Sequence, residues 1–172
     1  MDKEEVEAEI IPTKNPEHVV SKYLDDPKDY PDGAVLQPDG TYRGLHAKFF
    51  NSYSYVLGGD ENGITKEFQT GYIPNQRFNL DVVFENDGST PWPRRIECRH
   101  VSNVGEYTGH TESAYADRTN NPVMPGDKCG FSFSAHGSEN IGFTTFYYKL
   151  YDADSGSAIE GGEGYFSYDA HP

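Results

Sequence analysis

Side chains that alternate between apolar and polar, in short runs separated by turn clusters, constrain this chain more than any other feature. The clearest run is Phe78, Leu80, Val82 and Phe84, interleaved with Asn79, Asp81 and Glu85. Successive side chains of a strand point to opposite faces, so this run predicts a strand with one buried and one wet face. Leu45, Ala47 and Phe49 repeat the pattern, as do Ile96 and Cys98 against Arg95, Glu97 and Arg99. Cys129, Phe131, Phe133 and Ala135 oppose Lys128, Gly130, Ser132 and Ser134, and Phe146, Tyr148 and Leu150 oppose Thr145, Tyr147, Lys149 and Tyr151. A last strand carries Phe166 and Tyr168. The glycine-rich turn from Gly58 to Gly63 predicts a hairpin joining Tyr53–Leu57 to a segment with Ile64, Phe68 and Tyr72. Residues 102 to 124 show no clear period and are expected to form a long loop. Strands at this spacing predict an all-β sandwich or barrel.

Composition supports the same class. Of the 172 residues, 13 are Tyr and 10 Phe, with 18 Gly and 11 Pro, a mixture suited to pleated strands and turns. The formal net charge of -14 would repel a phosphate backbone, which argues against nucleic acid as a partner. Apolar stretches of a few residues fall far short of the roughly 20 needed to span a bilayer, so no membrane span is expected.

Residues 1–40 differ from 41–172, being acidic, Pro-containing and nearly free of Phe and Gly, and read as an amino-terminal arm on one sandwich domain. Within the arm, Glu5-Val6-Glu7-Ala8-Glu9-Ile10 alternates like a strand. Asn15 and Pro16 could open a short helix with Val19, Val20, Tyr23 and Leu24 on its apolar stripe. The acidic start lacks the basic residues and apolar core of a signal peptide. This leaves either a cytoplasmic protein or a mature form given a new Met.

Residues 71 to 169 resemble the four-tryptophan immunoglobulin-like domain of selective-autophagy receptors and bacterial surface proteins. The resemblance is carried by Phe84-Glu85-Asn86-Asp87-Gly88-Ser89-Thr90-Pro91-Trp92-Pro93, which is similar to that family's strand followed by an Asn-x-Gly-x-x-x-Trp turn. Met124-Pro125-Gly126-Asp127 and the stretch from Gly142 to Leu150 match its entries into later strands. Only Trp92 of the four namesake tryptophans is present; Val82, Tyr148 and Phe166 stand near the other positions. The resemblance implies an immunoglobulin-like antiparallel β-sandwich with an N-terminal extension, without catalysis, and names no ligand.

Candidate sites follow from residue type and strand phase. Cys98 and Cys129 fall on inward positions of two predicted strands, so a disulfide across the sandwich is expected, and with it an oxidising compartment; two free buried thiols are the alternative. Trp92 would serve as an exposed anchor for sugar or peptide, or close one end of the core. Tyr147 and Tyr151 project from the face opposite Phe146 and Tyr148, and Tyr53 with Tyr55 adds a second aromatic surface. Such rows anchor a protein or stack on sugar rings, although cross-strand pairs that merely stabilise a sheet are commoner. Asp152 and Asp154 read as a turn, not a calcium loop, since Gly156 stands where a third ligand belongs. The six His residues show no zinc-ligand spacing. No nucleophile elbow or phosphate-cradling Gly loop appears, so no catalytic residue, metal or cofactor is expected.

The expectation is a non-catalytic binding module, extracellular or at the cell surface, with cytoplasmic location the alternative. Its partner is expected to be protein, another copy of itself included, or carbohydrate. A third alternative is a subunit of a polymeric filament joined by donation of the amino-terminal strand to a neighbouring sheet edge.

Overall fold

The computed structural model describes residues 42–172, together with 35, 36, 38 and 40. The arm's expected strand over Glu5–Ile10 and helix from Asn15 lie outside the described residues. Ten strands form two five-stranded sheets, and among the described residues there is no helix.

The first sheet has the order β4 (Gly63–Gln69), β3 (Lys48–Asp60), β6 (Arg77–Glu85), β10 (Lys128–His136), β8 (Gly109–His110). The second runs β5 (Gly71–Tyr72), β12 (Ala158–Ala170), β11 (Gly142–Asp152), β7 (Arg95–Val104), β9 (Ser113–Asp117). All pairings are antiparallel except β5 with β12. Two short strands, β1 (Val35–Leu36) and β2 (Tyr42–Arg43), pair with each other.

The inner faces interdigitate as the alternation dictates. In the first sheet the register sets Phe84 beside Cys129, Val82 beside Phe131, Leu80 beside Phe133 and Phe78 beside Ala135. In the second it sets Phe146 beside Phe166 and Leu150 beside Cys98. All twelve side chains are buried in one core, completed by Tyr148, Tyr168, Ile96, Ile159 and Tyr72.

The motif after β6 closes one end of this core. Asn86 is fully buried; its side-chain NH2 donates to the carbonyls of Thr90 (3.0 Å) and Val123 (2.9 Å), and its Oδ1 accepts from Gly88 N–H (2.9 Å). Ser89 and Gly44 exchange two hydrogen bonds, and a Cβ on Gly88 would lie 2.3 Å from Gly44 O, so only glycine fits this approach. Asp87 pairs with His46 at 2.6 Å.

Several expectations need correction. Cys98 and Cys129 are free thiols, not a bridge. They sit on opposite sheets, on β7 and β10, both in the core, with Arg118 Nη1 3.7 Å from Cys129 Sγ, and burial pushes the Cys98 thiol well above its usual range. The argument for an oxidising compartment therefore loses its footing. Asp81, expected on a wet face, is buried. Tyr72 does not continue the β3–β4 hairpin; after Gln69 the chain crosses to the second sheet, where the Tyr72 ring stacks on Phe78 at 4.1 Å. The stretch 102–124 is not one irregular loop, since it completes β7 and contains β8 and β9, which join different sheets.

Replacing Asn86 by Asp keeps the size but turns two donated hydrogen bonds into repulsion between a buried carboxylate and two carbonyls. Asn86→Asp is expected to cost about 3 kcal/mol, whereas Asn62→Asp in the exposed hairpin turn is expected to cost less than about 0.5 kcal/mol. Equal urea midpoints for the two variants would remove Asn86 from this role.

Candidate functional site

Trp92 is not a surface anchor. Its ring is buried, its Nε1–H donates to His46 O (3.0 Å) and its backbone N–H to Val123 O (3.0 Å), so it plugs the core end that Asn86 shapes. The other aromatic candidates divide between two outer faces.

On the outer face of the second sheet, β11 presents Phe143, Tyr147 and Tyr151 on one side of its pleat. Tyr147 lies directly across from Tyr165 on β12, and Thr145 from Val104 on β7. Phe143 is 74% exposed, Tyr165 51% and Tyr147 40%; Val104 and, on β9, Tyr115 are also exposed. Tyr151 is less open, because the Arg99 guanidinium lies 3.9 Å from its ring centre. Arg99 also makes a two-pronged bond to Glu97 (3.1 and 2.9 Å), which holds the Glu97 carboxyl below the usual range. A β-bulge between Tyr147 and Tyr148 leaves Val101 unpaired and exposed on β7.

The second surface separates Tyr53 from Tyr55. Tyr55 is buried, and its hydroxyl donates to Asp81 Oδ1 (3.2 Å), which also accepts from Ser132 Oγ (2.7 Å); Lys66 Nζ reaches Asp81 Oδ2 at 3.2 Å. Burial and then the Asp81 charge raise the Tyr55 hydroxyl above its ordinary value. Tyr55 thus organises the outer face of the first sheet and is not presented for contact. Tyr53 remains partly exposed against Phe68, ring centres 5.4 Å apart. These two rings form one wall of an open groove of about 510 Å³, whose other wall is Phe49 packed on Tyr165 at 5.2 Å.

Neither the groove nor a half-buried imidazole pair was visible in local sequence pattern. His100 and His110, ten positions apart on β7 and β8, stack at 4.3 Å, enclosed by Tyr107, Phe133, Phe146 and Tyr148. His110 Nε2 is 2.7 Å from the Tyr148 hydroxyl, and Nδ1 faces Thr111 O; His100 Nε2 is buried without a hydrogen-bond partner. Among the described residues no group of three or more His, Cys, Asp or Glu side chains could hold a metal ion. At the turn after β11, the Asp152 carboxylate accepts from the N–H groups of Asp154 (2.9 Å) and Ser155 (3.4 Å), the Asx chemistry expected there.

No protein-family model matches the chain, and no curated protein matches it. No helix among the described residues is long and apolar enough to cross a membrane.

Burial lowers His110 from 6.5 to about 4, so the fold holds it neutral. The unfolded chain takes up this proton first, so stability is fully present above pH 6.5 and declines as pH falls to about 4. His110→Gln is expected to remove up to roughly 3 kcal/mol of that decline, carboxylate contributions being common to both proteins. Parallel curves of unfolding free energy against pH for wild type and variant would refute it.

Proposed function

We propose that the protein is a non-catalytic binding module of immunoglobulin-like fold that docks a protein partner on the outer face of its second sheet. The single observation behind this is the contiguous exposed surface of Phe143, Val104, Tyr147 and Tyr165, with Tyr115 at its far edge. Apolar and aromatic side chains aligned on rigid neighbouring strands bury large area at low entropic cost, and Tyr with Arg is the composition of interface hot spots. Arg99, held by Glu97 and stacked on Tyr151, adds a preorganised cation. The formal charge of -14 favours a partner with a basic rim and speeds their encounter at low salt.

The immunoglobulin-like assignment is supported by the chain's crossing from β6 to β7 through the Asn86–Trp92 turn, after which β8 and β10 lie in the first sheet and β9 and β11 in the second. Cell-surface location rests on the resemblance of that turn to bacterial surface domains.

A photo-crosslinking residue at Thr145 is expected to yield a discrete adduct in lysate of the source cells, absent when the residue is placed at Ser155. The partner so identified should bind the Phe143→Ala/Tyr147→Ala double variant at least 100-fold more weakly by calorimetry. Unchanged affinity in a folded double variant would place the interface elsewhere.

A further inference from the structure

We propose that the groove between β3–β4 and β12 is a separate binding site for a neutral carbohydrate. Charge supplies the first argument. Charged residues make up 24% of the chain, yet none is found among the described residues that line the groove, which include Phe49, Asn51, Tyr53, Phe68, Gln69 and Tyr165. A cleft whose described lining carries no charge, in a protein of net charge -14, suits a ligand that carries none.

The lining then narrows the chemistry. Phe68 is 61% exposed, and with Tyr53, Phe49 and Tyr165 it offers ring faces on both walls. The C–H faces of a pyranose are apolar and pack on such rings, while its rim of hydroxyls needs neutral donors and acceptors. These are at hand: Asn51 spends its Oδ1 on the Ser52 N–H (2.8 Å), and among the described residues its NH2, the Gln69 side-chain amide and the Thr70 hydroxyl make no hydrogen bond. The volume of about 510 Å³ lies within the roughly 300–1,000 Å³ of small-ligand sites.

An extended peptide fits less well. Pairing with β12 would need the Tyr165 carbonyl, which already accepts from Ser52 Oγ (2.7 Å). The Phe49 ring also covers β12 at Gly164, where even a Cβ would lie 2.5 Å from Phe49 Cδ1. The groove shares Tyr165 with the protein-docking face, and Tyr53 and Phe68, which that face lacks, keep the two readings distinguishable.

The test is an array of neutral and acidic oligosaccharides probed with the full chain, followed by calorimetry with the best neutral hexasaccharide. The expected result is binding to neutral glycans, weakened about tenfold by Phe68→Ala or Tyr53→Ala, as loss of one stacked ring would give, and unchanged by Phe143→Ala. In parallel, the side-chain amide resonances of Asn51 and Gln69 should shift on titration, a readout that needs no variant. No neutral glycan bound, preference for sulfated or sialylated glycans, or binding that leaves Asn51 and Gln69 unshifted and survives Phe68→Ala would each overturn the proposal.

Discussion

The side chain of Asn86 is the constraint on which the rest of this architecture hangs. One buried amide ties the end of β6 to Thr90 in its own turn and to Val123 in the approach to β10, while its backbone bonds Gly126 and Asp127. The segment leaving the first sheet and the segment returning to it are thereby held together. Trp92 then fills the space beneath, and His46, through its carbonyl to Trp92 and its ring to Asp87, fastens the segment that leads into β3. Every polar atom of Asn86 is satisfied, which is the condition under which a buried polar group stabilises a unique arrangement and not a set of alternatives.

Asp81 shows the same economy on the opposite side of the pleat. A carboxylate in mid-strand is normally solvated, yet here Tyr55 covers it and Ser132 and Lys66 complete its shell. The Lys66 ammonium also lies 4.5 Å from the Tyr55 ring centre, so one cation serves two neighbours. That arrangement withdraws Tyr55 from solvent and props Phe68, ring centres 5.8 Å apart, toward the groove that it shares with Tyr53. A buried polar cluster on one face thus positions an exposed aromatic on the next strand.

The β-class, the strand phases of β6, β10 and β11 and the closing turn were legible because period two and turn chemistry are local properties. What the sequence did not disclose depends on partners distant along the chain. Tyr72 belongs to the sheet opposite the hairpin it follows, and nothing within ten residues signals the crossing. Cys98 and Cys129 were correctly placed facing inward, but phase says nothing of whether two thiols on opposing sheets bond. The His100–His110 stack and the groove exist only once β8 lies beside β10 and β3 comes against β12. Of the aromatic candidates, Tyr147 is exposed beside Tyr165, Tyr53 faces the groove, Tyr151 is partly screened by Arg99, and Tyr55 and Trp92 are internal. Tyr165 went unnoticed because an exposed Tyr beside Phe166 looks in sequence like any other strand residue.

Core and surface in this protein are built from the same residue types, and only strand phase tells them apart. On β11 and β12, Phe146, Tyr148, Phe166 and Tyr168 are interior, while Phe143, Tyr147 and Tyr165 face solvent. A slip of one residue would exchange the two sets with little change in apolar burial, so hydrophobicity alone pins the register weakly. Two features do pin it. The bulge at Tyr147 and Tyr148 fixes how β11 meets β7, since one extra residue on β7 must be accommodated there. Gly164, facing Tyr148, is the one position on β12 over which the Phe49 ring can close; a slip would bring Glu163 or Tyr165 beneath it, and neither fits. The glycine that admits Phe49 also sets one wall of the groove. The residue that selects the fold's register is therefore the one that shapes the surface available for recognition.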